Sequence, residues 1–267
     1  MRRGFFVSVA EPCDRLEAGA TEVESRAVAR HEPGCQTSPM SPSRHRDFQI
    51  QTLSIGEERQ PLVVVDNLFA EPDEVFEMAA GKSFGYVAHH YPGVRAKVPL
   101  TVQHYMLGVL RAECAQAFGL AHALNFTSCH FSLVTTPPDQ LSYLQRVPHI
   151  DSSSGDELAL IVYLFKRDQG GTAFYRHRKS GFEYVNEERK AEYYRYLEEE
   201  QQSVLSSSAR YIGGDTDCYE RIARQEGVYN RMLVYRRTTL HSADLGPEIE
   251  FSTDPRRARL TLTGFLA

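Results

Sequence analysis

No stretch of this 267-residue chain could cross a bilayer as a helix. Its longest apolar run, Leu158–Phe165, is far short of the roughly 20 residues that a span needs. Near Met1, Arg2 and Arg3 precede only Gly4-Phe5-Phe6-Val7 before polar residues resume, too short a run for a secretory h-region, so a cytoplasmic location is expected. The five cysteines form no CxxC pair, which argues against a thiolate zinc site or a disulfide framework. Cys114 and Cys129 fall inside apolar periodic segments, where a reduced thiol packs as a small hydrophobe. Excess charge is also lacking. With 35 acidic against 30 basic residues and a net charge of -5, no global field would hold nucleic acid or an anionic membrane, and neither is expected as a partner. Any basic site must be local. The chain contains no internal repeat.

What is present suits a soluble globular protein, since 42% hydrophobic, 24% charged and 10% aromatic residues can build a core. Residues 1–46 show no sustained period and end in Pro39-Met40-Ser41-Pro42-Ser43-Arg44, the expectation being a flexible N-terminal tail. Met40 is a second candidate start. The remainder, residues 47–267, suits one domain. Leu62–Val65 reads as a strand, and Glu71-Pro72-Asp73-Glu74 opens a helix. A second helix fits Val102–Phe118, with Tyr105, Leu107, Leu110, Cys114 and Phe118 on one buried face and Gly119 as its stop.

Strands dominate after that point. Phe126–Val134 alternates, with Cys129, Phe131 and Leu133 on one side and Ser128, His130 and Ser132 on the other. Leu158–Phe165 reads as a strand buried on both faces, and Arg231–Tyr235 and Arg259–Phe265 complete the set. Asn186–Val204 is a charged helix capped by Asn186, lying in an insertion of residues 186–230 too long for an ordinary loop. It is read as a lid over a site, with an oligomer contact, as in a homodimer, as the alternative. The pattern predicts an α+β domain built around a sheet or barrel.

His149-Ile150-Asp151 lies just before the buried strand. In extended chain residues i and i+2 point the same way, so the imidazole and the carboxylate can converge. His241, beyond the strand at 231–235, could supply a third ligand. Two histidines and one carboxylate with open positions form the ligand set of non-haem Fe(II) oxygenases. Coincidence is the competing reading at this level, because ten histidines provide several such pairs.

The surrounding residues carry a resemblance. His149-Ile150-Asp151, the strand ending Tyr163-Leu164-Phe165, Gly170-Gly171-Thr172-Ala173-Phe174, His241 and Arg259-Leu260-Thr261 occur in order. Together they resemble the Fe(II)/2-oxoglutarate-dependent dioxygenase superfamily, particularly its prolyl 4-hydroxylase-like branch, over about residues 61–267. The resemblance implies a double-stranded β-helix, a jelly-roll or cupin-like barrel, with supporting helices and a helical insertion. It implies iron on His149, Asp151 and His241, and 2-oxoglutarate held at its distal carboxylate by Arg259 and Thr261. It also implies O2 as co-reactant, succinate and CO2 as products, and ascorbate as an assay reductant. Because Asp151 is retained, a halogenase is not expected.

Independently of the resemblance, alternation places Arg259, Thr261 and Thr263 on one face of the last strand, and a guanidinium can hold a carboxylate through two parallel hydrogen bonds. The gap of 18 residues from His241 to Arg259 is longer than the family's usual spacing, and Gly246-Pro247 and Asp254-Pro255 would absorb it as turns. Arg257 is the competing arginine, without a hydroxyl two residues on.

His130 is read as a structural histidine or a pocket residue, Tyr163 as core, and Tyr143 and Gln145 as core or cosubstrate contacts. His89-His90 point to opposite sides of extended chain and are not counted as ligands. Arg176-His177-Arg178-Lys179 is either a solvated run or the partner of an anionic substrate. The expected activity is hydroxylation of a small amino-acid- or peptide-like molecule. Hydroxylation of a protein side chain and a non-catalytic ligand-binding barrel are the alternatives.

Overall fold

The computed structural model describes residues 42–86, 91–120 and 123–267. The expectations for residues 1–41 and for His89-His90 lie outside the described residues. Ser43 and Arg44, assigned to the tail by sequence, are tied to the domain: the Ala70 amide donates to Ser43 O at 2.8 Å and Arg44 bridges Phe69.

Antiparallel sheet dominates. β1 (Gln49–Ile55) and β2 (Gln60–Asp66) form a hairpin whose tip needs left-handed backbone at Gly56 and Arg59. Helix α1 (Pro72–Ala80) follows, with proline in its first turn and Asp73 and Glu74 facing the positive end of the helix dipole. β3 (Gly93–Lys97) precedes α2 (Leu100–Val109). The single helix expected to Phe118 is interrupted by a π turn at Leu110–Cys114 before α3 (Ala115–Phe118), which Gly119 ends in left-handed conformation. The wider π turn advances the phase of the helix face. The buried stripe is therefore Val102, Met106, Val109, Leu110, Cys114 and Phe118, while Tyr105 and Leu107 are only partly buried.

β4 (Phe126–Val134), β5 (Leu158–Tyr163), β6 (Gly171–His177), α4 (Glu187–Ser206), β7 (Tyr219–Glu226), β8 (Met232–Arg236), β9 (His241–Asp244) and β10 (Leu260–Leu266) complete the chain. A seven-stranded sheet runs β1-β2-β8-β5-β10-β4-β3, and a three-stranded sheet runs β7-β6-β9. β7, placed within the insertion by sequence, is thus an edge strand of the smaller sheet, and its charged sequence YERIARQE conceals it.

Three apolar clusters define the layers. Cys129, Phe131 and Leu133 of β4 join Leu158, Leu160 and Val162 of β5 against the helices α1 to α3. Burial pushes the thiols of Cys114 and Cys129 up to about 12, as expected of packed cysteines. The other face of β5, Ala159, Ile161 and Tyr163, packs with Phe174 of β6 between the sheets. Outside the smaller sheet, Tyr175 and Tyr219 pack with Tyr193 and Leu197 of α4, a helix started by the Asn186 side chain accepting from the Arg189 amide at 3.2 Å.

Gly170 and Gly171 let the small sheet close. Gly170 has φ +86°, and a Cβ there would stand 1.9 Å from Asp244 O; one on Gly171 would stand 1.9 Å from Gln225 O. Gly170→Ala combines backbone strain with overpacking and is expected to destabilise by about 2–3 kcal/mol. Urea unfolding checks this, and a change within about 0.5 kcal/mol would contradict it.

Candidate metal centre

The site begins as a backbone bridge. His149 and His241 exchange hydrogen bonds, His149 N to His241 O at 2.9 Å and His241 N to His149 O at 3.0 Å. An antiparallel pair of this kind projects both side chains to one side. The imidazole centroids are 4.4 Å apart. Two residues on, Asp151 returns to the same side and brings Oδ1 to 3.8 Å from His149 Nε2 and Oδ2 to 3.4 Å from His241 Nε2. One ligand atom from each of the three residues lies within 4.8 Å of the others, so the group could hold a metal ion.

Neighbouring groups orient these donors. Thr239 O accepts from His241 Nδ1 at 2.9 Å. A carbonyl only accepts, so Nδ1 carries a proton and Nε2, on the Asp151 side, is the nitrogen placed to serve as a ligand atom. The Asp151 amide donates to Arg237 O at 2.9 Å, and Arg237 Nη2 donates back to Asp151 O at 3.0 Å. Arg237 is itself fixed by Glu157 at 2.8 Å and lies over the Phe265 ring. The HxD spacing gave no hint of this clamp, which comes from the end of β8.

The three residues open into a cavity of about 440 Å³ that also contains Arg259 and Thr261. Arg259 is 2% exposed. Its Nη2 donates to Gly171 O at 2.7 Å, its buried Nε has no partner, and no carboxylate among the described residues forms an ion pair with it. Burial holds its pKa below the usual arginine value, with Tyr163 and Tyr91 partly offsetting the effect. A desolvated cation of this kind is costly unless an anion joins it. Arg257, the competing arginine, is on the surface, paired with Glu250 at 2.8 Å.

The other singled-out residues divide. Gln145 lines the cavity, whereas Tyr143 packs under α4 and donates to Leu197 O at 2.8 Å. Tyr163 is core, its hydroxyl 2.7 Å from the Thr172 hydroxyl. His130 is not among the cavity-lining residues, and burial with Arg95 and Lys97 nearby lowers its pKa. In the cationic run at 176–179 Arg178 and Lys179 are exposed surface charges, Arg176 and His177 are turned into the protein, and none of the four lines the cavity. Arg176 pairs with Glu183, Glu57 and Glu220, Arg178 pairs with Asp215 and Lys179 with Glu199, while His177 is buried against Glu200. Sequence reasoning missed Tyr91 and Arg95, beside and on β3, and the cavity wall of Tyr193, Tyr194, Leu197 and Tyr211. No motif marks the first two. Tyr193, Tyr194 and Leu197 lie on the charged helix of the insertion, where no motif singles them out.

Fold and site together define an antiparallel-sheet protein with a two-histidine, one-carboxylate group able to hold a metal ion beside a buried cation. The chain belongs to a family described as a family of unknown function (DUF6445), matched over residues 46–266. A search of curated proteins gave no match. Similar solved structures include the non-heme alpha ketoglutarate dependent epimerase SnoN from nogalamycin biosynthesis, at 15% identity and TM-score 0.41, covering 79% of this chain and 78% of that one. The alpha ketoglutarate dependent carbocyclase SnoK is similar at 13% identity and TM-score 0.44, over 78% and 80% of the two chains. An N-substituted L-amino acid dioxygenase from Burkholderia ambifaria AMMD has 12% identity and TM-score 0.40, over 82% and 94%.

Proposed function

We propose that the protein is an Fe(II)- and 2-oxoglutarate-dependent oxygenase that hydroxylates a C–H bond of a small molecule. The observation that carries this reading is the pairing, in one cavity, of the His149, Asp151 and His241 ligand set with an unpaired buried guanidinium at Arg259. Two imidazoles and a carboxylate fit Fe(II) and leave coordination positions open, and Arg259 fits a dicarboxylate that reaches from the metal into the protein. Strand order supports the double-stranded β-helix reading. After β4 in the large sheet, the His149 segment joins β9 of the small sheet, β5 returns to the large sheet, β6 and β7 to the small, then β8, β9 and β10 alternate.

Iron with bound 2-oxoglutarate would supply an O2-derived oxidant for a C–H bond, the cosubstrate leaving as succinate and CO2. The protein's own residues do the rest. Thr239 O fixes the His241 tautomer, the Arg237 clamp orients Asp151, and Arg259 would hold the distal carboxylate with Thr261 alongside. A cavity of about 440 Å³ suits a small molecule rather than a folded protein surface.

The test is succinate formation from 2-oxoglutarate with Fe(II), O2 and ascorbate across a panel of small molecules and peptides. Succinate that rises with one panel member, together with a hydroxylated product, is expected. Metal binding without turnover, coupled or uncoupled, would favour a non-catalytic barrel instead.

A further inference from the structure

The cavity holds a second cation for which the 2-oxoglutarate reading has no use. Arg95 extends from β3 on the cavity-facing side, opposite Ser132 of β4, which in turn lies opposite Thr261 of β10. Strands in register place these residues on one face, so Arg95 and Arg259 share a wall, with β4 alone between their strands. The Arg95 guanidinium stacks 4.1 Å from the centre of the Tyr91 ring. Its Nε is buried without a partner, and no acceptor or carboxylate among the described residues bonds to the group. The aromatic face orients the guanidinium while leaving its donor edge open.

Charge decides what this edge would bind. Among the described residues, two guanidiniums line the cavity and Asp151 is the one carboxylate lining it. A divalent metal and a dicarboxylate cancel each other, and Asp151 cancels one arginine. One positive charge is left in a largely apolar space, which favours a monoanion over a phosphate ester carrying close to two charges. Much of the rest of the wall is apolar and aromatic, with Tyr193, Leu197 and Phe265 lining it beside the exposed Leu144 and Tyr194, and its uncharged polar groups include Thr172, Ser242 and Thr263.

Resting on the oxygenase reading for the occupancy of Arg259, we infer that the substrate is a monocarboxylate with an apolar body, and that Arg95 is its carboxylate anchor. Arg95 is a specificity-determining residue, distinct from the cosubstrate arginine.

The test uses straight-chain alkanoates from butanoate to decanoate and their primary amides, titrated calorimetrically into the full chain, both metal-free and loaded with Co(II) and 2-oxoglutarate. At the best-fitting length the acid should bind about tenfold or more tightly than its amide, the scale of a charge-assisted hydrogen bond. In protein loaded with Co(II) and 2-oxoglutarate, Arg95→Met should abolish that preference and Arg95→Lys should keep part of it; metal-free Arg259→Met, in which Arg95 is the remaining guanidinium of the described cavity wall, should still show it. Should Arg95→Met fail to fold by circular dichroism, Arg95→Gln replaces it. No acid preference anywhere in the series, or a preference that survives loss of Arg95, overturns the proposal. So does an Arg95→Met variant that loses 2-oxoglutarate as Arg259→Met does, since Arg95 would then be a cosubstrate ligand. Failure of the wild type to take up Co(II) and 2-oxoglutarate would sink the oxygenase reading alone. Metal-free titrations of Arg259→Met, with and without Arg95→Met, would still decide Arg95.

Discussion

Asp151→Ala is expected to lower divalent-metal affinity by about 100- to 1,000-fold and to reduce succinate formation to background. The magnitude follows from sharing the roughly 10–16 kcal/mol of a complete four-ligand site among its donors, about 2.5–4 kcal/mol each. The fold should survive, because Asp151 is positioned through its backbone. Its amide and carbonyl bond to Arg237 and do not depend on the carboxylate. Metal-free wild type and variant should therefore unfold within about 0.5 kcal/mol of each other. Metal titration and urea unfolding on the same preparations check both halves, and a variant that retains metal would remove Asp151 from the ligand set.

Arg259→Met is expected to act on a different quantity. Metal affinity should be unchanged, while 2-oxoglutarate binding weakens by about 100- to 1,000-fold, the cost of truncating one partner of a buried charge pair. Arg259→Lys should recover part of this, because it restores the charge but not the two-pronged geometry. Stability should move the opposite way. In the free protein Arg259 is a buried cation with an unpartnered Nε, so an apolar side chain of similar length should leave the metal-free fold at least as stable as wild type. A binding site that costs stability until its ligand arrives is the signature sought. It is read by comparing thermal midpoints of the Co(II)-loaded proteins with and without 2-oxoglutarate, where added 2-oxoglutarate should raise the wild type but not the variant. A variant destabilised in the free state yet binding 2-oxoglutarate normally would make Arg259 structural.

The parts of the site legible in sequence are those fixed by short-range geometry. The i, i+2 relation of His149 and Asp151 holds in any extended chain, and so does the shared face of Arg259 and Thr261. β4 was readable to its ends, Phe126–Val134, because one face meets the helices and the other the polar interior. β5 was readable because both its faces are buried. Where two distant segments decide the outcome, the sequence is silent. Arg237 clamps Asp151 only because β8 ends beside the HxD segment, and Arg95 enters the cavity only because β3 pairs with β4. β7 escaped notice because an edge strand over a mixed surface keeps charged residues, and β1 because most of its residues are exposed. The helix at 100–118 was found, but its π turn altered which residues face inward. A turn of that kind leaves no mark in apolar periodicity until its consequence is seen.

The most direct measurement is an anaerobic titration. Purified protein is loaded with Fe(II), 2-oxoglutarate is added without O2, and the visible spectrum is recorded. Chelation of Fe(II) by a 2-oxo acid gives a metal-to-ligand charge-transfer band that neither component gives alone. A band that saturates at one equivalent each of iron and 2-oxoglutarate, is absent in Asp151→Ala and needs much more 2-oxoglutarate in Arg259→Met is the expected result. A wild-type protein that gives no band, or one whose band is indifferent to both substitutions, would contradict the assignment of this cavity.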